Sequence, residues 1–201
     1  MDWYFVGDSI TSGGYPGQIG GTYPDRIEGV RAHRSAVSGT TTTWWVQRLS
    51  EFPEAEGASI LLGTNDAVGW QVRPADYALN MQALADRLLE HYPRVVLVTP
   101  PTSPGYEELL AAYGDRLLDI CESSDRVDCA DAHARLDYPE HFVDRLHPNA
   151  EGQELIAAAL HEQIYATEGV PLWPAGVALL AGLVAVAIWR WRRYPASGMH
   201  A

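Results

Sequence analysis

Short, wholly apolar runs alternate with longer amphipathic stretches through the first five-sixths of the chain. Trp3 to Val6 and Ala58 to Leu62 are apolar on both sides, and Arg94 to Thr99 has Val95-Val-Leu-Val98 at its centre. Such runs predict strands buried on both faces, as in a parallel sheet. Arg34 to Ser38 and Val127 to Ala130 predict two weaker strands. Between them the apolar positions recur at helical spacing. Pro74 to Tyr92 carries Tyr77, Met81, Leu84 and Leu88, with proline suited to its first turn and Pro93 closing it. Glu107 to Glu122 (through Leu110, Tyr113, Leu117 and Cys121) and Ala150 to Ala166 (through Leu155, Ile156, Leu160 and Ile164) read the same way. Tyr23 to Glu28 and Thr43 to Phe52 predict shorter helices. The stretch from Ser12 to Thr22 is dominated by glycine and reads as a loop, as does the polar stretch Asp137 to Asn149. Strands alternating with helices imply an α/β domain, residues 1–169, with a parallel sheet and helices on both faces. Right-handed crossovers then place the carboxyl ends of the strands on one rim, where open α/β sheets bind ligands.

Chemistry gathers at that rim. The first strand ends in Gly7-Asp8-Ser9, the second in Ser38-Gly39, and the third in Gly63-Thr64-Asn65-Asp66. The loop before the last helix holds Asp144-Arg-Leu-His147-Pro-Asn149. A serine hydroxyl becomes a useful nucleophile when a base takes its proton, and His147 can do so near neutral pH. Asp144, three residues earlier, can hold the other ring nitrogen. The oxyanion that forms needs donors, and the backbone N–H groups of Ser9 and Gly39 and the amide of Asn65 are candidates. Trp44, Val68, Trp70 and Pro101 follow strands two, three and four and are candidate substrate contacts, with Trp45, Pro100 and Thr102 beside them. Core packing is an equal alternative for Trp44 and Trp45. The remaining histidines show no ligand spacing, so neither a metal nor another cofactor is expected.

These four blocks, in this order, resemble the SGNH/GDSL hydrolase family over roughly residues 3–167. The resemblance implies a three-layer α/β/α flavodoxin-like fold with a five-stranded parallel sheet. It implies metal-free ester hydrolysis through an acyl-serine, with Ser9 as nucleophile, His147 as base and Asp144 as triad acid. Ser9, Gly39 and Asn65 take the places of its oxyanion donors. The expected substrate is a carboxylic ester, either an O-acetyl carbohydrate or a short-acyl or lipid ester. The alternatives are acyl transfer, in which an alcohol rather than water takes the acyl group, and a membrane-anchored carbohydrate-binding module whose site is catalytically idle.

Charge and composition refine this picture. The chain has 201 residues and a net charge of −12. All 26 acids and 11 of the 14 basic residues precede residue 170, and the basic residues are all arginine. An acidic body excludes binding along a nucleic-acid backbone. Cys121 and Cys129 are too few for a disulfide framework. They are open to pairing or to burial as free thiols, and the strand-like setting of Cys129 favours free thiols. The last segment, 170–201, differs. Residues 172–189 carry no charge and would span roughly 27 Å as a helix, about one bilayer core. Tryptophans flank the span, and Arg190, Arg192 and Arg193 follow it. A C-terminal transmembrane anchor is expected. The arginines favour an extracytoplasmic enzyme, whereas no signal peptide is visible before the first strand, so either export does not use that route or the true start lies upstream. Oligomeric state has no signature here.

Overall fold

A computed structural model describes residues 1–166, which form one compact unit. The 172–189 span expected as a membrane anchor lies outside the described residues. Among the described residues no helix is long and apolar enough to cross a membrane.

The elements are β1 (Asp2–Gly7), α1 (Ser9–Ser12), β2 (Arg31–Ala36), α2 (Thr42–Arg48), β3 (Gly57–Leu61) and α3 (Thr64–Val68). They continue with α4 (Pro74–Leu89), β4 (Val95–Val98), α5 (Glu107–Glu122), β5 (Val127–Ala130) and α6 (Ala150–Tyr165). The five strands form one parallel sheet in the order β2-β1-β3-β4-β5. Alternate residues of each central strand serve opposite faces. Tyr4, Val6, Ala58, Ile60 and Leu97 pack with Trp45, Met81, Leu84 and Leu117, from α2, α4 and α5. Trp3, Phe5, Leu61, Val96 and Val98 pack with Ile156 and Leu160 of α6 and with Tyr23 of a 3₁₀ turn. Helices thus cover both faces, which is why the interior of the central strands is apolar apart from Ser59.

Several boundaries differ from the sequence reading. β2 is an edge strand running Arg31–Ala36, not 34–38, because its pairing starts at Asp2↔Arg31. Both Arg31 and His33 reach the Asp2 carboxylate from that register. The segment after Thr22 is a 3₁₀ turn, Tyr23–Arg26, rather than a six-residue helix. α2 ends at Arg48, four residues early, where Leu49 turns to extended backbone. α4 ends at Leu89, and the Arg126 guanidinium donates to the free carbonyls of Leu89, Tyr92 and Pro93 beyond it. The helix α3 is an addition, since Asn65-Asp66 reads locally as a turn. The free-thiol expectation is also corrected. α5 packs beside β5 with the Cα atoms of Cys121 and Cys129 5.9 Å apart, and the two are joined in a disulfide.

Candidate active site

β1 delivers Ser9 to the rim through a tight turn. A Cβ on Gly7 would sit 1.9 Å from Thr11 Oγ1, so only glycine lets the chain fold back into α1 there. Asp8 caps that helix, its Oδ1 accepting from the Ile10 N–H at 2.9 Å. Ser9 Oγ lies 2.9 Å from His147 Nε2. His147 Nδ1 lies 2.8 Å from Asp144 Oδ2. The other oxygen of Asp144 accepts from the N–H groups of Leu146 and His147 at 2.7 and 2.8 Å. Burial pushes the Asp144 carboxyl up, but the hydrogen bonds from the His147 ring and these backbone donors outweigh it and hold it below the ordinary range. Residues 138 positions apart therefore meet in one hydrogen-bonded line, serine to imidazole to carboxylate.

The imidazole is also held by its face. Tyr15 stacks on it with ring centroids 4.3 Å apart and planes 18° from parallel. The Tyr15 hydroxyl donates to the Pro148 carbonyl at 2.9 Å and accepts from Gln153 Nε2 at 2.7 Å. Buried Gln153 also donates to the Ile10 carbonyl and accepts from the Tyr23 N–H. One amide from α6 so ties the serine's helix to the histidine's support. Sequence reasoning missed Tyr15 and Gln153, and nothing local marks them.

The segments carrying the three expected oxyanion donors are neighbours in the sheet; Ser9 and Asn65 line one pocket with His147, and Gly39 is not among its lining residues. β1 lies between β2, which leads to Gly39, and β3, which leads to Asn65. Gly39 adopts a φ of +76° at an exposed turn, and an added Cβ there would meet nothing within 4 Å. Backbone conformation, not space, is what calls for glycine there. The N–H groups of Ser9 and Gly39 meet no acceptor among the described residues. Asn65 is different. Its Nδ2 donates to Asp8 Oδ2 at 2.9 Å and to the Thr40 carbonyl at 3.1 Å. An amide has two N–H bonds, so an oxyanion reaching Asn65 must replace one of these acceptors.

Asp8 is a further residue that the motif chemistry undervalued. It is fully buried, and burial, with the nearby charge of Asp66 adding, pushes its carboxyl up to about 7. Asp66 is buried too and accepts from the N–H and hydroxyl of Thr42, which fixes the start of α2.

The candidate substrate residues separate. Trp45 is core, with its indole N–H donating to Thr40 Oγ1 at 3.0 Å. Pro101 is buried in the turn after β4, and Val68 is half-buried at the end of α3. Neither lines the pocket at Ser9 or the cleft holding the remaining pair. Trp44 and Trp70 instead share a cleft of about 290 Å³ beside the rim. The pocket touching Ser9, Asn65 and His147 holds only about 10 Å³. Thr64, which lines that pocket, carries a buried hydroxyl with no hydrogen-bond partner. Among the described residues no group of three or more His, Cys, Asp or Glu is placed to hold a metal ion.

Comparison with known proteins places this geometry in context. A family model described as GDSL-like lipase/acylhydrolase matches residues 5–155. No curated protein matches the chain. Among solved structures, an acetylxylan esterase from Geobacillus stearothermophilus superposes with a TM-score of 0.69 at 21% identity, covering 87% of this chain and 97% of its own. An alpha/beta hydrolase enzyme from the metagenome of Lake Arreo, Spain, superposes with a TM-score of 0.66 at 20% identity, covering 79% and 92%. These likenesses are of fold.

Proposed function

The chain belongs to the GDSL-like lipase/acylhydrolase family and is a carboxylic ester hydrolase, and we propose that it works through an acyl-Ser9 intermediate on esters of small acyl groups. The observation that carries this reading is the line Ser9 Oγ, His147 Nε2, His147 Nδ1, Asp144 Oδ2, with links of 2.9 and 2.8 Å. Ser9 Oγ bonds to the acyl carbon as its proton passes to His147 Nε2. Asp144 holds the ring and stabilises the imidazolium that forms. The oxyanion faces the N–H groups of Ser9 and Gly39, and Asn65 once it exchanges an acceptor. The ester C–O bond then breaks, and His147 returns its proton to the departing alcohol oxygen. Water repeats the sequence on the acyl-serine, releasing the carboxylic acid and restoring Ser9.

Size supports the small acyl group. A volume of about 10 Å³ admits roughly one water or methyl group, which suits acetyl. An enzyme of the same fold is an acetylxylan esterase, and an O-acetyl carbohydrate is the substrate class we favour. The proposed setting is a membrane surface. Residues 172–189 have the composition of a span, and the arginines after it favour the opposite side from the enzyme. The Cys121–Cys129 disulfide suits an oxidising, extracytoplasmic compartment. The test is release of p-nitrophenol from acetate, butyrate and octanoate esters by the full-length chain. Wild type should prefer acetate, and Ser9→Ala should lose on the order of 10⁴-fold in kcat. Retained turnover in Ser9→Ala would remove the acyl-serine.

A further inference from the structure

We propose that the cleft between Trp44 and Trp70 is a carbohydrate subsite that receives a sugar ring of the alcohol half of the substrate; this rests on the esterase reading above. Trp70 is 74% exposed, on the short connection between α3 and α4. A single exposed apolar residue is ordinary, but here Trp70 shares a cleft with a second indole, Trp44, and a paired apolar surface of that kind marks a contact site. The next residue, Gln71, has a φ of +46°, a conformation L-residues seldom adopt. Trp44, half-buried on α2, forms the facing wall. Its ring is fixed by an edge-to-face contact with Trp45 at 5.0 Å and by the Arg48 guanidinium, also 5.0 Å from its centroid.

The cleft adjoins the chemistry on two chain segments. Thr41, which lines it, follows Thr40, whose carbonyl holds Asn65. Trp70 lies five residues beyond Asn65, just past α3. The cleft is thus built on the two segments that also carry Thr40 and Asn65, and under this proposal the group bonded to the ester oxygen sits there. The acyl group does not need it, since on the reading above that group sits in the pocket at Ser9.

The lining decides among occupants. An alkyl chain gains most in an enclosed apolar tunnel, whereas Trp70 stands open to water. A pyranose ring has flat C–H faces ringed by hydroxyls. It matches a flat indole face bordered by hydrogen-bonding side chains, here Thr43, Gln47 and Arg48. The net charge of −12 disfavours an anionic polymer, so a neutral sugar chain is the occupant to which the lining commits.

The experiment uses the full-length chain, wild type and Trp70→Ala, with Trp70→Phe as the conservative variant. The substrates are an O-acetylated, neutral β-linked xylo-oligosaccharide and p-nitrophenyl acetate, which has no sugar. The ratio of kcat/KM for the oligosaccharide to that for p-nitrophenyl acetate should fall about 10-fold in Trp70→Ala, chiefly through KM, and recover partly in Trp70→Phe. Titrating deacetylated oligosaccharide should change the tryptophan fluorescence of wild type and not of Trp70→Ala. An unchanged ratio, or equal fluorescence changes in both proteins, would overturn the subsite and leave the esterase standing. Wild type inert on both esters would instead bring down the catalytic reading itself.

Discussion

Replacing Asp8 by asparagine should change how stability responds to pH, and the size of the change follows from burial. The folded protein holds the Asp8 proton up to about pH 7, whereas the unfolded chain releases it near 3.8. Between those values the folded state binds more protons, so stability is full below the window and falls as pH rises through it. At about 1.4 kcal/mol per pH unit, the rise from pH 5 to pH 8 costs the wild type roughly 3 kcal/mol through this one group. An asparagine side chain cannot ionise and removes that slope. It has its own cost, because its NH₂ then faces the amide that Asp8 Oδ2 now accepts from Asn65. Donor against donor is worth about 1–3 kcal/mol, and it applies at every pH. By pH 5 wild type has already lost about 1.7 kcal/mol of this stabilisation, so Asp8→Asn should be close to wild type there and more stable at pH 8. With about 2–4 °C per kcal/mol in a domain of this size, the difference in Tm between the proteins should move by roughly 6–12 °C from pH 5 to pH 8. Burial pushes Asp66 up too, and it is present in both proteins, so the difference reports Asp8 together with its coupling to Asp66. Thermal unfolding followed by circular dichroism at half-unit pH steps measures it. Parallel Tm curves for the two proteins would refute the account of Asp8 as a buried carboxyl that ionises at a cost.

Asn65→Ala should lower kcat about 10²- to 10³-fold with little change in KM on p-nitrophenyl acetate, as loss of an oxyanion donor does. A loss confined to KM would argue that the amide only anchors Asp8 and Thr40. Tyr15→Ala removes the ring stacked on His147 and should cost about 10-fold in kcat. Its pH–rate profile should shift as well, which a purely structural loss would not produce. The Cys121→Ser, Cys129→Ser double variant frees a short loop and should lose roughly 2–3 kcal/mol by urea unfolding, and reductant should then have no further effect on it.

The site is legible where local chemistry and topology coincide, and illegible where a partner is remote. β1, β3 and β4 declare themselves because burial on both faces leaves no polar alternation to misread. β2 is misplaced by the sequence reading because an edge strand is half-polar, and its register answers to Asp2, far back in the chain. Trp44 and Trp45 read alike in sequence, but adjacent helical residues point about 100° apart, so only one of them faces the core. Asp8 reads as a helix cap, which it is at Oδ1. Its other oxygen meets Asn65, 57 residues on, and no window of sequence contains both. The same holds for Tyr15 and Gln153, 138 residues apart. The motif order nonetheless carries more than four short matches. In a parallel sheet with right-handed crossovers every strand ends on one rim. Once β1 lies between β2 and β3, the residues after those three strands must stand side by side. The segments that lead to Gly39 and Asn65 then lie on the two flanks of the one that leads to Ser9. His147 needs only to come from the loop that leads into α6, which covers the sheet face beneath Ser9's own helix. Strand order therefore brings the three segments together, and local packing at Gly7, Tyr15 and Gln153 sets where Ser9 and His147 come to rest within them.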